Sequence, residues 1–303
     1  MQKSAILTGA GGFLAGHAAS AFAAAGWRVV GIGRSDPNHQ AEHLAEFHLN
    51  DLSDVDRIVT IVERSAAEAL VHFAAPASVP DSLRSPAHDF RAHVMPTINV
   101  LEAVRLAGAA VRVILVSSAA VYGEPQSLPV AEDAPLAPIS PYGFHKLHQE
   151  LLVDEYVRLH GLRACKARVF SAYGEFLRRL AVWEIARRAL GGDYHVRGTG
   201  DETRDYLYAG DCGRAIALMA GRADCRGEAI NVSSGQEVPM RVVASEIYAA
   251  AGIAAPPQFT GETMPGSPAH WRADVRRLRA LGFDPPPWSN GLARTIRWIR
   301  SSA

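Results

Sequence analysis

Short, wholly apolar runs along the chain alternate with longer stretches whose apolar positions recur every three or four residues. Ser4–Thr8, Trp27–Ile32, Leu70–Ala74 and Val113–Ser117 read as strands. Phe13–Ala25, Leu83–Ala107 and Tyr142–His160 read as the helices between them. A strand without polar alternation is apolar on both faces, which is the signature of a parallel sheet covered by helices on each side. The pattern therefore predicts an α/β fold, a doubly wound parallel sheet whose ligands bind at the carboxyl ends of its strands. The proline-rich pieces Ala254–Pro268 and Asp284–Trp288 punctuate a smaller C-terminal part and read as surface connections.

The first predicted turn carries chemistry. Between the first strand and the first helix the sequence reads Gly9-x-x-Gly12-x-x-Ala15. Glycine permits a positive φ in the turn and close approach of backbone to a pyrophosphate, while a small third residue lets helix pack on strand. The helix N-terminus behind the turn offers free N–H groups to an anion. The expected organisation is a dinucleotide-binding domain over residues 1–168, with a return near 204–235, and a mainly substrate-binding part over 169–303.

Composition narrows the class. The chain has 303 residues, 48% hydrophobic and 20% charged, with 31 basic side chains balancing 31 acidic ones. Phosphate-tracking surfaces need clustered Lys and Arg, so nucleic acid is excluded as the main partner. Cys165, Cys212 and Cys225 show neither a disulfide framework nor a zinc spacing, and the expected setting is reducing and cytoplasmic. No metal site is expected, since the 12 histidines have no ligand spacing. Ser4–Trp27 carries no Asp, Glu, Lys or Arg and invites comparison with an export signal or a membrane span. Thr8-Gly9-Ala10-Gly11-Gly12 interrupts it, whereas a span needs about 20 predominantly apolar residues able to stay helical.

Further on, Tyr142-Gly143-Phe144-His145-Lys146 opens a predicted helix, and Ser118 closes a predicted strand upstream. One helical turn sets Tyr142 and Lys146 on one face, where an ammonium can lower the phenol's pKa by proximity. A phenol that ordinarily titrates near ~10 then becomes an acid or base near neutrality. Ser118 would hydrogen-bond the reacting oxygen.

With these residues the sequence resembles the extended short-chain dehydrogenase/reductase family, the NAD(P)-dependent nucleotide-sugar epimerases, dehydratases and reductases. The resemblance runs through Thr8–Leu14, Asn50-Asp51-Leu52, His72–Ala75, Ser117–Gly123, Ser140–Lys146, Arg168–Gly174, Gly198–Tyr206 and Trp271–Asp274. It implies a Rossmann-like fold with catalytic residues Ser118, Tyr142 and Lys146. It further implies that Gly9, Gly12, Phe13, Leu14, Arg34, Ser35, Asp51, Leu52, Ala74 and Ala75 surround the cofactor together with Tyr142 and Lys146. Ser78, Ala119, Ser171, Arg178, Arg204 and Arg272 would face the substrate, a nucleotide-diphosphate sugar whose pyrophosphate suits the planar fork of Arg204. Members of the family commonly form homodimers through two helices per subunit, and the same is expected here.

Departures from the family pattern refine the reaction. Ala15 replaces the usual third glycine, Ser171 stands where Asn is common, and the second phosphate-binding Arg falls near Met264, leaving Arg178 or Arg272 to substitute. His93 occupies a position where the family often has Asn and reads as a packing or polar-contact histidine. Dehydratases place an Asp-Glu pair after the active-site hydroxyl, where this chain has Ala119-Ala120, so a 4,6-dehydratase is not expected. After the second strand, Gly33-Arg34-Ser35 offers a guanidinium and a hydroxyl where NAD enzymes place an acid, which points to NADP, with NAD the alternative supported by Asp36. The sequence thus favours a 4-ketoreductase drawing on NADPH. The alternatives are a 4-epimerase with tightly held NAD, a cofactor-sensing regulator without catalysis, and a reductase of small ketones.

Overall fold

A computed structural model describes residues 2–108, 110–262 and 268–302. Its centre is a seven-stranded sheet in the order β11-β6-β5-β4-β1-β2-β3, parallel throughout. The first half runs β1 (Ser4–Thr8), α1 (Phe13–Ala24), β2 (Arg28–Gly33), β3 (Glu46–Leu49), α2 (Val55–Ser65) and β4 (Ala69–His72). Next come α3 (Val79–Arg84), α4 (Pro86–Leu106), β5 (Arg112–Ser118), α5 (Pro141–His160) and β6 (Arg163–Val169). These apolar strands are buried on both faces as their composition requires, with Ala5, Ile6, Leu7, Leu70, Val71 and Ile114 each wholly inaccessible.

One expected helix is two. Leu83–Ala107 breaks because Ser85, forced out of the helical region before Pro86, takes φ −143° and ψ 70°. The break leaves the short α3 free to turn its Ser82 toward the start of α5, where the Ser82 hydroxyl accepts a hydrogen bond from the Tyr142 N–H at 3.1 Å.

The remaining elements are β7 (Ser171–Tyr173), α6 (Leu180–Leu190), β8 (His195–Val196), β9 (Thr203–Arg204), β10 (Tyr206–Tyr208), α7 (Ala209–Arg222) and β11 (Arg226–Val232). They continue through β12 (Val238–Pro239), α8 (Met240–Ala251), β13 (Gln258–Phe259), α9 (Arg276–Ala280) and α10 (Leu292–Ser301). β11 returns to the edge of the central sheet beside β6, and α7 packs on α1. A Cβ at Gly213 of α7 would meet the carbonyl oxygen of His17 at 2.6 Å, so glycine sets that helix spacing. One face of the sheet buries its core under α1 and α7, the other under α2, α4 and α5. A separate core around Tyr173, Ile247, Trp288 and Ile296 joins α6, α8 and α10.

Candidate active site

The carboxyl ends of β1, β4 and β5 open onto one side of the sheet. Gly9 has φ +67° and lies so close to the end of β4 that a Cβ there would meet the Ala74 backbone at 2.8 Å. Gly12 then starts α1, its N–H donating to the Gly9 carbonyl at 2.8 Å. Helices α2, α3 and α5 are capped by the side chains of Asp54, Ser78 and Ser140, whereas α1 has neither a side-chain cap nor an acid in its first turn. A positive helix end left without an internal acceptor at the tip of a glycine turn fits the pyrophosphate of a dinucleotide.

Beside the carboxyl ends of β2 and β3 lies a cleft of about 350 Å³ lined by Arg34, Leu49, Asn50, Asp51, Asp54 and Arg57. Leu52 sits at its edge with φ +66°, a conformation rare for a branched side chain. Its N–H donates to Asn50 Oδ1 at 2.6 Å and its carbonyl accepts from Asn99 Nδ2 at 2.8 Å, which hold the turn in place. Gly33 ends β2 against the Phe47 ring of β3. A Cβ there would approach the Phe47 ring at 3.3 Å, a tight contact, so the packing of β2 on β3 favours a small residue at this position. Arg34 shares the cleft with two carboxylates, Asp51 and Asp54, and its charge helps hold Asp51 below the ordinary carboxylate range, after the two hydrogen bonds from Ser53.

Ser118 ends β5, and its hydroxyl accepts from the Ala120 N–H at 3.2 Å, while Ala119 is buried beside it. Tyr142 and Lys146 sit on the first turns of α5, which the Ser140 hydroxyl caps by accepting from the Gly143 N–H at 3.2 Å. Burial pushes the half-buried Tyr142 phenol above its ordinary range, and Ser118 and Arg179 draw it back only in part; the lowering expected from the neighbouring Lys146 ammonium does not offset burial here. Lys146 Nζ lies 6.0 Å from the Tyr142 ring centroid and donates to the Val116 carbonyl at 3.0 Å. Burial pushes this ammonium down to about 8, against the pull of Glu150 and Asp89. Behind the pair, Glu150 accepts from the Ser117 hydroxyl at 2.6 Å and forks onto Arg168, locking α5 to β5 and β6.

Across the cleft, Asp205 is wholly buried. Its Oδ1 accepts from the hydroxyls of Ser233 and Ser234, both at 2.7 Å, and its Oδ2 accepts from the Ala273 N–H at 2.8 Å. That carboxylate fixes two arginines, its neighbour Arg204 and Ala273's neighbour Arg272. Arg204 donates to the Thr203 carbonyl at 2.7 Å, and Arg272 Nε donates to the Gly235 carbonyl at 3.2 Å. Ser171 is half-buried at the start of β7, and its N–H donates to the Asp205 carbonyl at 3.1 Å. Ser78 caps α3, and Arg178 rests over the Trp298 ring, 5.9 Å from its centroid. Met264 lies outside the described residues.

Sequence spacing missed three features. Arg179, beside the expected Arg178, reaches back to donate to the Ala77 carbonyl near Tyr142. Asp89, His93 and His145 gather behind Tyr142, bringing ligand-capable atoms within 4.8 Å of one another, although no metal site was expected from the histidine spacing. His145 Nδ1 is 2.5 Å from Asp89 Oδ2, and His93 Nδ1 donates to the Asp89 carbonyl at 2.8 Å with its ring edge-on to Tyr142. Third, a cavity of about 810 Å³ lies away from these groups between α1, α7 and the start of α10. Two of its arginines already pair with acids, Arg214 with Asp211 and Arg294 with Glu175.

A doubly wound sheet with a bare helix end over a glycine turn, and a Ser, Tyr and Lys converging opposite it, defines a nucleotide-cofactor enzyme of the extended short-chain dehydrogenase/reductase class. The sequence profile described as the NAD dependent epimerase/dehydratase family matches residues 5–233, and the chain belongs to that family. It is 30% identical over 311 residues to a UDP-glucose 4-epimerase of Mycolicibacterium smegmatis, covering 98% of this chain and 99% of that one. Among solved structures, a UDP-N-acetylglucosamine 4-epimerase of Methanobrevibacter ruminantium, in complex with UDP-N-acetylmuramic acid, superposes with TM-score 0.88 at 25% identity, covering 100% of this chain and 99% of that one. A UDP-glucose 4-epimerase of Thermus thermophilus, in complex with NAD, gives 0.87 at 27% identity, covering 99% and 100%.

Proposed function

We propose that the protein is a nucleotide-sugar 4-epimerase that retains NAD. The sequence-based preference for a ketoreductase drawing on NADP gives way for two reasons. Full-length similarity to 4-epimerases supports the epimerase, and Arg34 shares its cleft with two acids, which weakens the argument for a 2′-phosphate. The observation that carries the reading is that Ser118, at the end of β5, and Lys146, one turn along α5, both meet Tyr142, in a sheet whose first helix starts uncapped behind a glycine turn.

In this reading the α1 N-terminus takes the cofactor pyrophosphate, Asp51 and Leu52 border the adenine, and Lys146 reaches the nicotinamide ribose with the N–H donors that Val116 leaves free. Bound NAD supplies reversible hydride acceptance. Tyr142 takes the proton from the sugar C4 hydroxyl, Ser118 donates a hydrogen bond to that oxygen, and the same phenol returns the proton after the sugar turns its other face. Arg204 and Arg272 hold the substrate pyrophosphate through the turn. Ala119 and Ala120 supply neither acid nor base for losing water, which disfavours a dehydratase.

The protein acts as a homodimer in this account. Phe90, Met95 and Leu106 on α4 and Phe144, Leu151 and Leu159 on α5 are large apolar side chains left exposed on two adjacent helices. A second copy covering them would make a four-helix interface. Among the described residues no helix is long and apolar enough to cross a membrane. A reducing cytoplasmic setting is proposed from the cysteine content.

The test is to denature the purified protein and identify what it releases. One NAD per chain is expected; NADP, or an empty site that takes up NADPH in preference to NADH, overturns the reading.

A further inference from the structure

A third arginine, Arg179, stands on the segment between β7 and α6. Arg179 Nη1 donates to the carbonyl of Ala77, in the loop after β4 that Ser78 turns into α3. The same α3 contacts Tyr142 through Ser82, so Arg179, α3 and the phenol share one corner of the site. The segment that presents Arg179 is irregular in a telling way. Phe176 and Leu180, on either side, hold φ of +73° and +67°, which bulky L residues rarely adopt and which persist where the surroundings over-determine them. Its neighbour Arg178 turns the other way, onto Trp298.

One carboxylate stands near enough to Arg179 for its charge to be felt. Asp81 is the carboxylate that feels its charge, and Asp81 already pairs with Arg84. Among the described residues no carboxylate lies within ion-pair distance of Arg179. A neutral hexose needs only hydroxyl-level hydrogen bonds here, whereas a rigid fork of N–H donors matches a carboxylate. C6 of a hexose is two bonds from C4, so in one of the two sugar orientations that 4-epimerisation requires, a C4 oxygen presented to Tyr142 carries the C6 substituent into this corner.

We propose that Arg179 determines sugar specificity and that the substrates are nucleotide-linked uronic acids, whose C6 carboxylate pairs with its guanidinium. The proposal rests on the 4-epimerase reading for the orientation of the sugar.

The test uses the NAD-loaded full chain and two probes that share a nucleotide, UDP-glucuronic acid and UDP-glucose, titrated by calorimetry at one ionic strength. A charge-assisted contact predicts that the wild type binds the uronate about 10- to 150-fold more tightly. Arg179 is exposed, so Arg179→Gln is expected to fold; in it the ratio of the two affinities should collapse toward one, and Arg179→Lys should restore part of it. Equal affinities in the wild type, or an unchanged ratio in Arg179→Gln, overturn the proposal. Nuclear magnetic resonance on the same mixtures separates the two ideas. Selective uronate binding without a C4 epimer sinks the epimerase reading and leaves the specificity standing; epimerisation of UDP-glucose with equal affinities does the reverse. Binding of neither sugar overturns both.

Discussion

Asp205→Asn is the substitution that most severely tests how the substrate side is held together. The wholly buried carboxylate joins three segments, accepting at Oδ1 from Ser233, Ser234 and Gly235 and at Oδ2 from the N–H groups of Gly235 and Ala273 at 3.0 and 2.8 Å. An Asn oxygen can replace Oδ1, but its NH2 then faces the Ala273 N–H, a donor against a donor. Two buried groups lose their partners at roughly 1–3 kcal/mol each, so the variant should lose about 2–6 kcal/mol of unfolding free energy. Urea denaturation at fixed pH with unchanged m-value measures this. Because Asp205 also holds the backbone beside Arg204 and Arg272, UDP affinity should fall at a temperature where the variant is still folded. A loss under about 1 kcal/mol, or a destabilised variant with wild-type UDP affinity, would refute the view that this carboxylate organises the arginines.

Three further outcomes are expected. Tyr142→Phe keeps the ring packing and removes the proton carrier, so turnover should drop by roughly 10²–10⁴-fold with NAD still retained; comparable turnover removes Tyr142 from the chemistry. His72 is buried between Thr8 and Thr97, and burial lowers it to about 3 from 6.5. Its folded pKa being depressed, the unfolded chain binds the extra proton as pH falls below about 6.5, so stability falls with acidification across that window. Between pH ~7 and ~5 this histidine accounts for about 2 kcal/mol, and His72→Gln should flatten the pH dependence of denaturation by that amount; an unchanged slope contradicts it. Leu151→Glu in the exposed face of α5 should shift light-scattering mass from dimer to monomer, and a monomeric wild type would remove the proposed interface.

The site was legible in the sequence where its chemistry is local. Gly9 and Gly12 act within one turn, and Tyr142 and Lys146 within one helical turn, so spacing alone places them. Arg179 reaches a carbonyl 102 residues away, His145 meets Asp89 across 56 residues, and Ala273 meets Asp205 across 68, separations that no local pattern records. Proline ended a predicted helix at Ser85 because its steric effect on the preceding residue outweighs a continuing apolar pattern. The C-terminal part was least legible, since β8, β9, β12 and β13 have two residues each, too short for any periodicity.

The most direct test of the account is to incubate the purified protein with UDP-glucose or UDP-glucuronic acid and no added coenzyme, and to follow the sugar by proton nuclear magnetic resonance. Inversion at C4 to an equilibrium mixture, with no net change in absorbance at the reduced-nicotinamide band, is the predicted result. A sugar that stays unchanged until NADPH is supplied, or one that is reduced or dehydrated, would contradict it.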